Sequence, residues 1–293
     1  MTAGIWTTRL RVAALRFGLW MGSPLRPAKG ANTNFVRDAA RAWRMSAFAR
    51  SLAYHRAIAR NRQAYLGALW MPLGFVLFAG GISLLWAQIF DRPLNTYLPY
   101  VTFGLFVWNL ILGSLVDGAR AMQESRNLIL QSNTPILIYP LTAMLKQSIM
   151  AAYNIPFVIL VAIAFSPAFD PAMLLALPGL LLVWVLGLAV CITLSILCTY
   201  VPDLSELIAS GLRFVFFFTP ILWLPNTREG LHHIWMWNPF YYVIEVVRAP
   251  LSGNHEIAPL AFAVTGALTL IAWLVAVFVY RRFAGAVPTR LGG

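Results

Sequence analysis

Lysine is nearly missing from this sequence: there are two, Lys29 and Lys146, and their placement excludes a mode of action. A phosphate-binding loop of the form G-x-x-x-x-G-K-[ST] needs its lysine directly after a glycine-rich turn. Lys29 precedes Gly30 in a proline-containing stretch, and Lys146 stands between Leu145 and Gln147. ATP hydrolysis by this chain is therefore not expected. Carboxylates are scarce as well, with 10 Asp and Glu in 293 residues. Asp91, Asp170, Glu229 and Glu256 flank the apolar runs at one end, and Asp117, Glu124, Asp203 and Glu206 at the other. An ion-driven carrier needs an ionisable group deep in the bilayer, so proton or sodium coupling is disfavoured. The 2 cysteines, Cys191 and Cys198, fall seven positions apart in one predicted helix. That is about 10 Å along its axis, too far for a mutual disulfide, so they read as small packing residues. His232-His233 reads as an exposed loop pair, and neither a zinc-ligand cluster nor a nucleophile elbow is found, so no cofactor is expected in this chain.

What the sequence has instead is apolar bulk. Sixty per cent of it is hydrophobic and 11% is charged, too little charge for a water-facing surface, which places the chain in a bilayer. Most of the 22 Lys and Arg residues precede residue 63, and the net charge is +12. A basic stretch abutting apolar runs is explained by the positive-inside rule and anionic lipid, so the N-terminus is expected in the cytoplasm and no nucleic-acid partner is expected. Arg16 splits the only early apolar stretch, leaving no signal-peptide core.

Runs of about 20 apolar residues suit a membrane crossing. They predict six spans, at about 69–90, 98–116, 140–165, 173–199, 206–224 and 257–280. Both termini would then lie on the cytoplasmic side. Polar residues 117–134 surround Leu128-Ile129-Leu130, which predicts a short interfacial helix. Asp203 or Ser205 is a candidate cap for the fifth span.

Two segments ask for more than spanning. In 34–62, Phe35, Ala39 and Trp43 share one helical face and Arg37, Arg41 and Arg44 the opposite one. The phase breaks near Ser46, which predicts two short helices or a kink on the inner leaflet. Residues 1–33, interrupted by Pro24, Pro27, Gly30 and Asn32, read as a basic cytoplasmic extension without regular structure. The second segment, 225–254, carries Trp235, Trp237, Tyr241 and Tyr242 and is broken by Asn238-Pro239. Tyr241, Glu245 and Arg248 recur at helical spacing, and Glu245 and Arg248 can pair within one helix. This predicts a re-entrant or interfacial helix pair at 226–256 on the outside, although an aromatic belt accounts for the tryptophans equally. The fold class is thus an all-α integral membrane protein with six transmembrane helices at 67–293. An amphipathic N-terminal interface helix at 34–66 and an outside (periplasmic) re-entrant pair between spans five and six complete it.

Within the spans, Arg213 stands about seven residues into the fifth, where an arginine faces protein, water or phosphate. Phosphate of a lipid carrier and snorkelling to the inner interface are its two readings. Lys146, near the start of the third, has the same two. Phe103, Phe106, Trp108, Phe214, Phe217, Phe218 and Trp223 either line a path on which sugar rings stack or simply pack.

Four stretches carry a resemblance: Asn61-Arg62-Gln63-Ala64-Tyr65-Leu66-Gly67-Ala68-Leu69-Trp70, Leu98-Pro99-Tyr100-Val101-Thr102-Phe103-Gly104-Leu105-Phe106-Val107-Trp108-Asn109, Thr219-Pro220-Ile221-Leu222-Trp223 and Asn238-Pro239-Phe240. From about residue 50 onward the chain resembles the permease subunit of bacterial ABC exporters for O-antigen, capsule, teichoic acid and related polysaccharides. The resemblance implies a homodimer in the cytoplasmic membrane, joined by two copies of a separate ATPase that binds ATP and Mg. It implies a polysaccharide substrate linked to an undecaprenyl-type diphosphate or another lipid anchor. It also implies ATPase contacts from the amphipathic helix and the helix after the second span, hence Arg60, Arg62, Gln63, Glu124 and Arg126, with Asp203 and Glu206 at a helix start facing the same partner. The outside helices would be a periplasmic gate built from Trp235, Trp237, Tyr241, Tyr242, Glu245 and Arg248. Residues 1–33 depart from the family pattern. The rival readings are a permease of similar fold exporting a drug or small lipid, and a membrane enzyme acting on lipid-linked sugar.

Overall fold

The computed structural model describes residues 34–59, 65, 67–165, 170–225, 235–254 and 256–292. The expectations for 1–33, for Arg60, Arg62 and Gln63, and for 226–234 lie outside them. In hydrocarbon every backbone amide must find its partner within the chain, and long apolar runs answer by forming helices. The helices are α1 Phe35–Arg44, α2 Ser46–Ala59, α3 Trp70–Ile89, α4 Leu94–Glu124, α5 Arg126–Gln131, α6 Ile138–Phe165, α7 Ala176–Tyr200, α8 Asp203–Phe218, α9 Pro239–Leu251, α10 Ala258–Phe283 and α11 Val287–Gly292. Five of them, α3, α4, α6, α7 and α10, are long and apolar enough to cross a membrane. The chain is a multi-pass membrane protein.

The expected count of six is corrected to five. The predicted fifth span, 206–224, is instead α8, which has 16 residues and stops at Phe218. At 1.5 Å per residue it is about 24 Å long, short of the roughly 30 Å hydrocarbon core. Its end is written in Thr219-Pro220: a residue before proline is pushed out of the α region, and Thr219 is extended at φ −95°, ψ 130°. The expected outside helix pair is corrected too. Among the described residues that region holds one 3-10 turn, Trp235–Trp237, and the single 13-residue helix α9. Asn238 caps α9 through its side chain and Pro239 occupies the first turn, which starts a new helix there. With Val243, Ile244, Glu245, Val246, Val247 and Arg248 all buried, α9 is an interior helix packed on α4, α7 and α10.

The two ends of the bundle are fixed by side chains. At one end, here basal, the Tyr280 hydroxyl donates to Asp38 (2.8 Å), Tyr200 to the Phe283 carbonyl (2.7 Å), Arg56 to Ser125 (3.0 Å) and Arg126 to the Leu291 carbonyl. These bonds gather α1, α2, α5, α11 and the C-terminal ends of α4, α7 and α10. At the apical end, the hydroxyls of Tyr97 and Tyr100 on α4 hold the carbonyls of Pro220, Leu222 and Trp223. Residues 117–124, the start of the expected polar inner stretch, continue α4 to Glu124. Its 31 residues make it the central helix, flanked by α3, α6, α7, α8 and α9. The helices α1 and α2 meet at Met45, beside the phase change near Ser46. Phe35 packs edge-on against Trp273 and Tyr280, whereas Trp43 departs from its expected face and is 77% exposed.

Candidate functional site

A cavity of about 830 Å³ opens between α3, α4, α6 and α8. Its basal part is ionic. Lys146 Nζ lies 2.8 Å from Asp117 Oδ2, and the Gln147 amide donates to the same oxygen. Gly113 makes this possible, because a Cβ there would stand 2.0 Å from Gln147 Oε1. Asp117, expected at the inner surface, lies seven residues before the basal end of α4 and lines the cavity. Lys146 is the ninth residue of α6 and points to the same place.

Since α4 and α6 run in opposite directions, the Lys146–Asp117 pair sets their register. Asn154 follows Lys146 by eight residues and Asn109 precedes Asp117 by eight, so both amides stand about 12 Å apical of the ion pair. Asn154 is 9% exposed, and its buried Oδ1 has no hydrogen-bond partner among the described residues. Arg120 and Glu206 pair at 2.8 Å and register α8 against α4. Arg213, seven residues further along α8, is carried about 10 Å apical of that pair, between the ionic level and the amides. It is exposed at the cavity's edge, with no recorded hydrogen bond or ion pair among the described residues. Trp70, Phe75, Phe78 and Phe106 provide aromatic walls.

The other expected aromatics divide. Phe103 and Trp108 are buried, with Trp108 against Phe216 and Phe240 at ring distances of 5.5 and 5.9 Å. Phe214, Phe217 and Phe218 are exposed on α8, and Trp223 donates its indole N–H to the Phe217 carbonyl. Trp235 and Tyr241 are buried edge-to-face at 4.6 Å, Tyr242 stacks edge-on against Tyr241, and Trp237 is 85% exposed. Glu124 lies 3.9 Å from Arg56 at the basal end, where Arg126, Asp203 and Glu206 also lie.

A second charged constellation sits apically. Arg248 is 1% exposed, paired with Glu245 one turn earlier, and donates to the Pro220 carbonyl at 2.8 Å. Its guanidinium lies 3.9 Å from the centre of the Tyr100 ring. Gly104 leaves the space, since a Cβ there would meet Arg248 Nη1 at 3.1 Å. Every charge here is answered inside the protein.

No family model matches the chain. Two curated proteins do, both named O-antigen export system permease protein RfbA. That of Klebsiella pneumoniae is 21% identical over 187 residues, covering 63% of this chain and 72% of the relative. That of Myxococcus xanthus is 22% identical over 179 residues, covering 61% and 69%. The chain is similar to O-antigen export permeases. At this identity, and with five long apolar helices, the likeness supports a permease role in general and a transport subunit rather than an enzyme. Among the described residues no group of three or more His, Cys, Asp or Glu could hold a metal ion.

Gln147 and Asn154 are not singled out from sequence, and Asn109 and Asp117 are named there without a role in a site. The available signal was polar residues inside apolar runs, but only the register of α4 against α6 brings them together.

Proposed function

We propose that the chain is the permease subunit of an ATP-driven exporter that moves a lipid-linked polysaccharide across the cytoplasmic membrane. Two copies form the channel, and two copies of a separate ATPase dock on the basal end and supply ATP and Mg. The carrying observation is the cavity that joins the cations Lys146 and Arg213 to aromatic walls. A glycan on a lipid diphosphate offers both chemistries these groups favour, since guanidinium and ammonium pair with phosphate and sugar faces stack on aromatic rings. The basal end is read as cytoplasmic because it gathers Arg37, Arg41, Arg44, Arg56, Arg120, Arg126, Arg281, Arg282 and Arg290. Both termini of the described unit would face that side. The ATPase would meet α1, α2, α5 and the start of α8, which include Glu124, Arg126, Asp203 and Glu206.

Reconstitution with the candidate ATPase tests the reading. The chain alone should hydrolyse no ATP, and the complex should hydrolyse it faster when undecaprenyl-diphosphate-linked glycan is added. ATP turnover by the isolated chain, or a complex indifferent to that lipid, overturns the proposal.

A further inference from the structure

Most unusual groups in the molecule are already answered. The Arg248–Glu245 pair is satisfied internally. A smaller apolar cavity of about 290 Å³ between α4, α7, α9 and α10 has no group to select a ligand beyond Ser114, which already bonds the Leu110 carbonyl. Two other buried hydroxyls, on Ser83 and Thr102, lack partners but line neither cavity. Asn154 is different. It is buried, it makes no hydrogen bond among the described residues, and it lines the cavity that also holds Arg213. Buried amides are nearly always bonded, so an unsatisfied amide on a residue that lines a cavity points to a partner that comes from outside the chain once the side chain turns towards it.

We infer that the cavity is a two-level subsite for a glycosyl phosphate, in which Lys146 and Arg213 hold the phosphate and Asn154 and Asn109 take hydroxyls of the sugar attached to it. The inference rests on reading the chain as an exporter of a lipid-linked glycan, and it adds that the carrier-proximal sugar is itself recognised. The registers give the order. Ionic groups lie basally, Arg213 lies between, and the amides lie about 12 Å apical of the ion pair. A phosphate entering from the basal side therefore meets the cations while its sugar leads towards the apical end. Amides suit the sugar level because each offers both a donor and an acceptor, as a hydroxyl does. Phe78, on α3 and 52% exposed, supplies an apolar face in the same cavity against which the ring can stack. Arg213 suits the phosphate level because its planar fork can grip two phosphate oxygens. Lys146 is paired with Asp117, so an incoming phosphate shares its ammonium with that carboxylate and is held less tightly than by a free lysine.

The test uses the full chain as a homodimer in lipid nanodiscs, titrated by native mass spectrometry with two probes. These are undecaprenyl diphosphate and undecaprenyl-diphosphate-linked N-acetylglucosamine, with inorganic pyrophosphate as a competitor to separate lipid-borne from free phosphate. Wild type should bind the sugar-bearing probe about three- to tenfold tighter than the bare one, the range that one or two hydrogen bonds supply. Asn154→Leu should erase that preference while changing the bare probe by less than about twofold. Arg213→Ala should weaken both probes together. Should Asn154→Leu fail to fold, Asn109→Ala decides in the same titration. A preference retained by the asparagine variants, or one never present in wild type, overturns sugar recognition alone. Wild-type protein that binds neither probe overturns the exporter reading beneath it.

Discussion

Arg213 and Arg248 are the same residue type in the same protein, and their surroundings could hardly differ more. Arg248 is buried to 1% exposure, shares a carboxylate with Glu245, donates to the Pro220 carbonyl and stacks on Tyr100. Arg213 stands at the rim of an open cavity and has none of these partners. Taking a guanidinium out of water is tolerable only where the protein supplies a counter-charge and fills its donors. Arg248 meets both conditions, and the bonds it makes tie the non-helical stretch after α8 to α4. It acts as a clasp. Arg213 meets neither condition internally, so its charge remains available to a ligand. A charged residue in a membrane protein is thus informative through its satisfaction as much as through its position.

The sharpest way to break this contrast is to remove the clasp. Arg248→Ala leaves Glu245 buried without its counter-charge and the Pro220 carbonyl with only the Tyr100 hydroxyl as donor, at a cost of about 3–5 kcal/mol. The melting temperature in detergent should fall steeply and insertion yield should drop. The double change Glu245→Leu with Arg248→Met should be much milder, because no isolated charge remains. An Arg248→Ala protein that melts like wild type would mean that Arg248 is not holding the apical end together.

Arg213→Ala is the mirror experiment. No described residue bonds to this side chain, so stability should shift by less than about 0.5 kcal/mol. Binding of a polyprenyl diphosphate should nevertheless weaken by about tenfold, the loss of one charge-assisted contact. Arg213→Lys should recover part of it, keeping the charge but losing the fork. Binding by wild type should also weaken as ionic strength rises, because the site is open to solvent. Unchanged affinity in the alanine variant would return Arg213 to the role of an interfacial anchor.

The sequence discloses these two regions unequally, and the reasons are physical. Length and hydropathy report which solvent a segment faces, so α3, α4, α6, α7 and α10 were each legible as apolar runs. Helical continuity depends on backbone hydrogen bonds, which do not stop where charge appears. The 117–124 stretch is polar, yet it belongs to the same helix, and α4 runs on to Glu124. The misreading lies at α8, where apolar residues continue to Leu224 but Pro220 ends the helix. The Glu245–Arg248 pair was legible because it lies within one helix. Its burial was not, because that comes from α4 and the Thr219–Trp223 turn, distant in sequence. Arg213 and Lys146 stood out as charges in apolar runs, whereas Asn109, Asp117 and Asn154 gain meaning only once the helix registers are known.

A smaller effect separates the clasp into its parts. The single O–H of Tyr100 is shared between the Pro220 and Trp223 carbonyls, at 2.9 and 3.1 Å. Tyr100→Phe keeps the ring under Arg248 and removes only the hydroxyl, so it should cost about 1 kcal/mol in thermal unfolding. Full wild-type stability would place the weight of the clasp on the guanidinium alone. Export should change little, since neither carbonyl faces the cavity.

Asp117→Asn is the subtlest probe because its two consequences have opposite signs. Asparagine keeps the shape of the side chain and can still accept from Gln147, but it removes the charge that pairs with Lys146 at 2.8 Å. The two side chains are 21% and 25% exposed, so solvent screens the pair and its loss should cost less than about 1 kcal/mol of stability. The freed ammonium would then be drawn wholly to an incoming anion. Polyprenyl diphosphate should bind about two- to fivefold tighter, the scale of a partly screened ion pair. Tighter binding in the resting state would slow release, so export should fall modestly even as affinity rises. The contrast with a proton-coupled carrier is decisive here. Were Asp117 a relay, asparagine would abolish export outright and remove its dependence on the proton gradient, whereas a competitor for Lys146 leaves transport running on ATP. Measuring affinity, export rate and gradient dependence on the same variant separates the two, and lost export without tighter binding would move Asp117 from tuning the site to driving it.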